Sequence, residues 1–156
     1  MGIKSFQGNM VGKTADIKHN IHVSDFMRTD LITFNPDDSI YEAINKLIKH
    51  KISGGPVVDA ENNLVGMVSE GDCVKHIADL QYYNSPLEQK TVAAIMTTVV
   101  ETIPGNKTIF EASKQFLQSR KRRFPIVEGQ KLVGLISQKD ILRASVLLKE
   151  NTWRKE

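Results

Sequence analysis

Residues 53–72 read SGGPVVDAENNLVGMVSEGD, and residues 122–140 read RRFPIVEGQKLVGLISQKD. In both stretches a short apolar run begins at or beside a proline, a polar turn follows, and a second apolar run ends in Ser-x-x-Asp. Two short apolar runs around a turn predict a β-hairpin. Ser-x-x-Asp before a further apolar segment predicts the start of a helix. The chain therefore carries the same hairpin–helix unit twice.

The repetition continues upstream of both hairpins. At an offset of 69 residues, Ser39-x-x-Glu42 matches Thr108-x-x-Glu111. Each pair is a capping box, in which a hydroxyl and a carboxylate satisfy the free amides at a helix start. Apolar residues at helical spacing follow and predict one buried stripe per helix. The stripes consist of Ile40, Ile44, Leu47 and Ile48 in the first copy, and of Ile109, Ala112, Phe116 and Leu117 in the second.

Each copy is predicted to contain a strand, a helix, two strands and a second helix. The first strand covers residues 31–34 or 99–103, and the second helix starts near Ser69 or Ser137. The second helices carry their own apolar residues, namely Val74, Ile77 and Leu80, and Ile141, Leu142 and Leu148. The fold class is therefore α+β, with two β-α-β-β-α repeats that share one core.

The repeats also divide the chain into segments. The stretch between the copies contains Pro86 and has no periodicity, which is typical of a linker. We predict an N-terminal extension at 1–20, a first repeat at 21–83, a linker at 84–91, a second repeat at 92–148 and a C-terminal tail at 149–156.

Composition and charge limit the class of protein. Of 156 residues, 40% are hydrophobic and 25% charged, which is typical of a globular protein. We find no secretion signal and no apolar run near the ~18 residues of a membrane span, and therefore expect a cytoplasmic protein. Residues 23–74 carry nine acidic and four basic side chains, whereas residues 92–148 carry four acidic and nine basic ones. Such halves attract each other when packed face to face, and the basic half can offer a local anion site.

Together these motifs resemble a known family. SGGPVVD with LVGMVSEGD is similar to a cystathionine-β-synthase (CBS) domain, and RRFPIVE with LVGLISQKD to a second one. The resemblance implies a Bateman module, in which two CBS units pack about a pseudo-twofold axis and leave two clefts. It further implies a regulatory protein that binds AMP, ADP, ATP or S-adenosylmethionine, requires no cofactor, forms a homodimer and controls an unidentified partner protein.

The resemblance places a ribose-binding carboxylate at Asp72 and another at Asp140. Such a carboxylate can accept hydrogen bonds from both ribose hydroxyls. Ser69 and Ser137 lie three residues earlier, where a hydroxyl beside free helix amides suits a phosphate. The same Ser-x-x-Asp pattern is also a capping box that needs no ligand. Both interpretations stay open, and a capping pair can also meet a ribose.

The resemblance also implies that each cleft joins the base slot of one repeat to the Ser-x-x-Asp of the other. The implied slot residues are Ile32, Ser53, Gly54, Gly55 and Pro56, and Val100, Arg123, Phe124 and Pro125. The alternative for the apolar members is an ordinary place in the core.

Phosphate contacts are implied for Arg122 and Arg123, and for the hydroxyl of Thr97. The alternative for the arginines is a solvated helix end, where cations are favourable by about 0.3–1 kcal/mol. Arg28 stands where the second repeat has Thr97, and Glu70 adds a negative charge beside Ser69. We therefore expect the two clefts to differ.

Two other functions are compatible with the sequence besides nucleotide binding. The basic residues of the second repeat and the tail allow a nucleic-acid-binding surface, although aromatic residues are only 6% and no groove-reading motif is present. A dimerisation module with empty clefts is the third possibility.

Catalysis and metal binding have little support in the sequence. Cys73 aligns with Ile141 and is predicted to be a buried hydrophobe. His19 and His22 form an HxxH without further ligands, so no metal site is predicted. His50 and His76 are predicted to lie on helix surfaces.

Overall fold

The computed structural model describes residues 21–83 and 89–153, with side chains described except at 82, 83 and 149–153. The predicted N-terminal extension, most of the predicted linker and the end of the tail lie outside these ranges. In the first repeat, a 3-10 turn at Val23–Asp25 is followed by α1 (Ile40–His50), β1 (Gly54–Val58), β2 (Leu64–Ser69) and α2 (Glu70–Tyr83). In the second, α3 (Val92–Ile95) is followed by α4 (Ile109–Ser119), β3 (Arg123–Glu128), β4 (Lys131–Ser137) and α5 (Gln138–Trp153).

The predicted helix starts and hairpins are present. Ser39 and Thr108 cap α1 and α4, and the backbone N of each donates in return to the carboxylate of the glutamate three residues on. β1 pairs antiparallel with β2, and β3 with β4. The first hairpin has a bulge between Val57 and Val58, and the second has one at the matching place.

The predicted strand before the first helix is reduced to one residue in each repeat. Phe34 forms a single parallel bridge with Val57, and Ile103 forms one with Ile126. Proline follows both residues closely, at Pro36 and Pro104, and proline cannot donate to a ladder. The prediction of strands over 31–34 and 99–103 was therefore wrong in extent, although the segments lie beside the predicted neighbours.

The two repeats exchange their first helical turns. Val23, from the start of the first repeat, is fully buried in the core of the second, where it packs with Phe116 and Phe124. Val92, from the start of the second repeat, is fully buried in the core of the first. The backbone follows the same exchange, since Val23 N donates to Lys107 O at 2.8 Å. The structure thus has two cores where the sequence predicted a single shared one, and each core is completed by the other repeat.

Equivalent bridges relate the repeats by a pseudo-twofold axis. Arg28 N donates to Leu135 O at 2.9 Å, and Thr97 N donates to Met67 O at 2.8 Å. Arg28 and Thr97 occupy matching places in the two repeats, as do Met67 and Leu135. At the axis itself, the two hairpin turns meet in a bridge between Asn63 and Lys131. The repeats therefore form one body with shared backbone contacts.

Part of each predicted apolar stripe faces outward. Ile48 is 70% exposed and Leu117 82%, and Val74 and Leu142 are each 64% exposed. Ile77 is exposed as well. The outer edge of each wide stripe is therefore exposed in the part of the chain that the structure describes.

His76 is a further difference from the sequence prediction. It lies in α2 and is only 6% exposed, and its Nε2 has no hydrogen-bond partner. The matching residue of the second repeat is Ala144, which is fully buried. The placement of His76 on the helix surface was therefore wrong, because this side of α2 faces the core. His50, by contrast, is exposed as expected.

The described residues contain neither a membrane-spanning helix nor a metal-binding cluster. None of their helices is long and apolar enough to cross a bilayer. Within the same ranges, no three His, Cys, Asp or Glu side chains lie close enough together to hold a metal ion.

Candidate functional site

A cavity of about 330 Å³ lies between the repeats, and we call it the Asp72 cleft. This volume is in the range of small-molecule sites. The first repeat contributes Ser53, Gly54, Gly55, Met67, Val68, Ser69, Glu70 and Asp72, and the second contributes Thr97, Val99, Val100, Glu101, Lys121, Arg122, Arg123, Phe124 and Pro125. The Ser-x-x-Asp of one repeat thus faces the slot residues of the other.

Asp72 holds one carboxylate oxygen in place and leaves the other free. Ser69 N and Ser69 Oγ donate to Oδ2 of Asp72 at 2.8 and 3.0 Å. Asp72 N is 3.3 Å from Ser69 Oγ, which completes a capping pair at the start of α2. Among the residues that the structure describes, no donor contacts Oδ1 of Asp72. The cap therefore fixes a half-buried carboxylate whose second oxygen remains available to a ligand.

The second repeat contributes an apolar part to the opposite wall of the Asp72 cleft. Val100 is half-buried and Val99 is 91% exposed at the cleft. Phe124 lies in the core, with its ring centroid 4.6 Å from that of Phe116, and Pro125 is also fully buried. An apolar wall of this kind suits a planar ring.

Arg123 connects the two repeats. Its Nη1 donates to Gly54 O at 2.7 Å, and its Nη2 donates to Ser53 Oγ. Burial lowers the pKa of its guanidinium from the ordinary value, and the neighbouring charge of Arg122 lowers it further. Arg123 thus holds the wall of the cleft, whereas the Arg122 side chain is exposed and forms no hydrogen bond or ion pair within the described ranges.

A second groove, of about 930 Å³, lies on the pseudo-symmetric side, and we call it the Asp140 cleft. It brings Ile32, Ser53 and Gly54 of the first repeat to Ser137 and Asp140 of the second. Gly55 borders only the Asp72 cleft. Pro56 is fully buried and borders neither cavity.

Asp140 differs from Asp72 in having both oxygens occupied. Ser137 N and Oγ donate to Oδ2 at 2.8 and 2.9 Å, which repeats the capping pair. Arg143 Nη1 donates to Oδ1 at 2.6 Å, and Arg28 Nε lies 3.6 Å from the same oxygen. Asp140 is only 3% exposed. Its charge is therefore compensated inside the protein.

Two substitutions between the repeats explain this asymmetry. Arg28 takes the place that Thr97 has at the Asp72 cleft, and Arg143 takes the place of Lys75, which is exposed and forms no ion pair within the described ranges. The sequence carried a signal for one of these contacts, because Arg143 follows Asp140 at helical i, i+3 spacing. No pattern in the sequence indicated that Val99, Glu101 and Lys121 line the Asp72 cleft.

Comparison with known proteins identifies the family. The CBS domain model matches residues 23–79 and 92–147. The chain belongs to the CBS-domain family. This confirms the predicted pair of CBS units in an α+β Bateman module.

Relatives of known sequence fall into two groups. The chain is 38% identical over 115 residues to inosine-5'-monophosphate dehydrogenase of Methanocaldococcus jannaschii, covering 73% of this chain but 21% of that enzyme. It is 27% identical over 156 residues to the chloroplastic CBS domain-containing protein CBSX2 of Arabidopsis thaliana, covering 83% of this chain and 66% of that protein. The CBS pair is thus about one fifth of the dehydrogenase and about two thirds of CBSX2.

Two solved CBS-pair structures are similar to this chain and contain adenosine compounds. CBSX2 in complex with AMP has a TM-score of 0.74 and 30% identity, and the match covers 83% of this chain and 99% of that one. The CBS pair of protein MJ0100, in complex with 5'-methylthioadenosine and S-adenosylmethionine, has a TM-score of 0.66 and 29% identity, with 79% and 94% covered.

Proposed function

We propose that this CBS pair is a non-catalytic regulatory module that binds an adenosine-containing ligand in the Asp72 cleft. The observation that carries the proposal is the geometry of Asp72, because its Oδ2 is fixed by Ser69 and its Oδ1 has no donor among the described residues. A fixed, half-buried acceptor opposite an apolar wall can hold a ribose while the base lies against Val100. The AMP, 5'-methylthioadenosine and S-adenosylmethionine complexes of the similar structures support this choice of ligand.

The charges of the cleft favour a ligand with few phosphates. Three carboxylates, at Glu70, Asp72 and Glu101, balance the three basic side chains of its lining. Arg123 is already engaged with Ser53 and Gly54, which leaves two basic groups for a ligand. We therefore propose that AMP or S-adenosylmethionine binds more tightly than ATP.

The test is isothermal titration of AMP and S-adenosylmethionine into the protein and into Asp72→Asn. Asparagine retains an oxygen that can accept from Ser69 N, so the cap can persist while the negative acceptor is lost. We expect affinity to fall at least tenfold, which corresponds to about 1.4 kcal/mol. Asp79→Asn is the matched control, because Asp79 is an exposed aspartate of the same helix. Equal affinity for the two variants, or no binding by the unmodified protein, contradicts the proposal.

The arrangement of basic residues favours this function over nucleic-acid binding. A nucleic-acid surface needs them to spread over one face, whereas Lys121, Arg122 and Arg123 converge on the clefts. Lys139 also borders a cleft, and Arg143 is paired with Asp140. We therefore expect the module to regulate a partner protein in a ligand-dependent way, since a ligand acts by binding one state of a protein better than another.

We also propose that the module forms a homodimer through its helices. The exposed apolar residues recur at matching places, with Ile48 equivalent to Leu117 and Val74 to Leu142. The opposite charges of the two repeats favour a second copy arranged so that the acidic repeat of one chain meets the basic repeat of the other. Uncovered apolar faces of this kind are typical of interaction sites.

Molar mass by light scattering tests the dimer. We expect twice the chain mass for the protein, and the mass of one chain for Leu117→Glu with Ile48→Glu. Val99→Glu is the control, because Val99 is equally exposed but lies at the Asp72 cleft. A monomeric parent protein, or a dimer that survives the double substitution, excludes this interface.

A further inference from the structure

The Asp140 cleft carries an excess of positive charge that the Asp72 cleft lacks. Three basic and three acidic side chains line the Asp72 cleft. The lining of the Asp140 cleft has five basic side chains and two carboxylates, namely Arg28, Lys51, Arg122, Arg123, Lys139, Asp30 and Asp140. A groove lined mainly by one sign of charge concentrates ions of the opposite sign.

Three of these basic side chains have neither an ion pair nor a hydrogen bond within the described ranges, namely Lys51, Arg122 and Lys139. They come from separate segments. Lys51 is the left-handed residue that ends α1, and Lys139 lies in the first turn of α5. Arg122 is held beside that turn, because Gln138 N donates to its carbonyl oxygen at 3.3 Å. The fold thus gathers three uncompensated cations around one groove, at the positive end of a long helix.

The acidic group that a ribose would need is not available in this cleft. Oδ2 of Asp140 accepts from Ser137, and Oδ1 is bound by Arg143 and lies close to Arg28. A ribose hydroxyl would have to reach a carboxylate that is only 3% exposed and whose Oδ1 already accepts a charged hydrogen bond of 2.6 Å. Charge-assisted bonds of this length are among the strong ones. An anion, by contrast, requires no change at Asp140.

We propose that the Asp140 cleft is a site for a phosphate-type anion and takes no ribose. Arg28, Lys51, Arg122 and Lys139 are the groups that meet the anion, because phosphate oxygens accept from several donors at once. The required chemistry is two or more linked phosphates, either free as pyrophosphate or as the tail of a nucleotide. This site does not depend on adenosine binding in the Asp72 cleft.

Titration calorimetry of the full chain with inorganic pyrophosphate tests the site. We expect one pyrophosphate to bind per chain, with an affinity that falls steeply as salt is raised. Lys51→Ala with Lys139→Ala is expected to weaken binding about tenfold. Lys75→Ala is the matched control, because Lys75 is exposed and borders neither cleft, and it should leave pyrophosphate binding within a factor of two. GTP and ATP should displace pyrophosphate equally if their phosphates alone are recognised.

A second experiment tests the exclusion of ribose with adenosine, which has no phosphate. The protein is expected to bind at most one adenosine per chain. Arg28→Thr with Arg143→Lys gives Asp140 the neighbours that Asp72 has, and is expected to add one adenosine site. If this variant does not fold, the lysine variants still decide the question of the anion.

Three results overturn the proposal. They are the absence of pyrophosphate binding, an equal loss of pyrophosphate affinity in Lys75→Ala, and two adenosines bound by the unmodified chain. Pyrophosphate binding without adenosine binding would support the anion site in the Asp140 cleft and contradict the function proposed for the Asp72 cleft. The two proposals therefore fail separately.

Discussion

Replacing Arg123 by alanine tests the contact that joins the repeats. The substitution removes the bonds from Nη1 to Gly54 O and from Nη2 to Ser53 Oγ. Hydrogen bonds to charged groups contribute about 1.5–3 kcal/mol each when buried, and this guanidinium is only partly buried. We therefore expect a loss of about 2 kcal/mol in the free energy of unfolding. At about 2–4 °C per kcal/mol for a chain of this size, Tm falls by about 4–8 °C.

Urea and thermal unfolding followed by circular dichroism measure both quantities. Arg122→Ala is the control, because the Arg122 side chain is exposed and forms no hydrogen bond or ion pair within the described ranges. A change within about 0.5 kcal/mol is expected there. A double-mutant cycle with Ser53→Ala isolates the side-chain part of the contact. Equal effects of Arg123→Ala and Arg122→Ala, or a coupling of zero with Ser53→Ala, refute the reasoning.

Two further predictions concern α2. Burial raises the pKa of the Cys73 thiol above 9.0, and the charge of Asp72 raises it further. The unfolded chain therefore loses this proton at lower pH than the folded chain does. We expect the free energy of unfolding, measured with urea, to fall more steeply above about pH 9 in the protein than in Cys73→Ala. Parallel pH curves for the two proteins would contradict this prediction. His76→Leu removes a buried nitrogen without a partner and should raise Tm, since such a group costs about 1–3 kcal/mol. His50→Leu is the control, because His50 is exposed, and it should leave Tm unchanged. A fall in Tm for His76→Leu would contradict the prediction, because it would mean that the His76 imidazole stabilises the fold.

The sequence was sufficient for elements whose signals are local. The capping pairs, the hairpins and the apolar spacing of the helices depend on residues within a few positions of one another, and Ser39 with Glu42 forms the expected contact. The duplication supported each of these predictions, because the second copy repeats the pattern of the first. The residues that face each other across the Asp72 cleft followed from the resemblance and not from any local pattern.

Contacts between distant segments could not be predicted in this way. The approach of Arg28 to Asp140 joins residues over a hundred positions apart, and it depends on how the repeats dock. Arg123 likewise turns inward to Ser53, although a basic cluster at a helix end usually faces solvent. The burial of His76 could have been inferred from Ala144, because the apolar residue at the matching place indicates the inner side of the helix.

The exchange of Val23 and Val92 between the two cores has a consequence for biosynthesis. The amino-terminal half leaves the ribosome without Val92, so its interior stays incomplete until the carboxy-terminal half has also emerged. Neither half is a self-sufficient folding unit, even though the duplication is obvious in the sequence. Two fragments separated within residues 84–88 should each remain largely unstructured alone and should regain native structure when mixed, because each holds the residue that closes the other's interior.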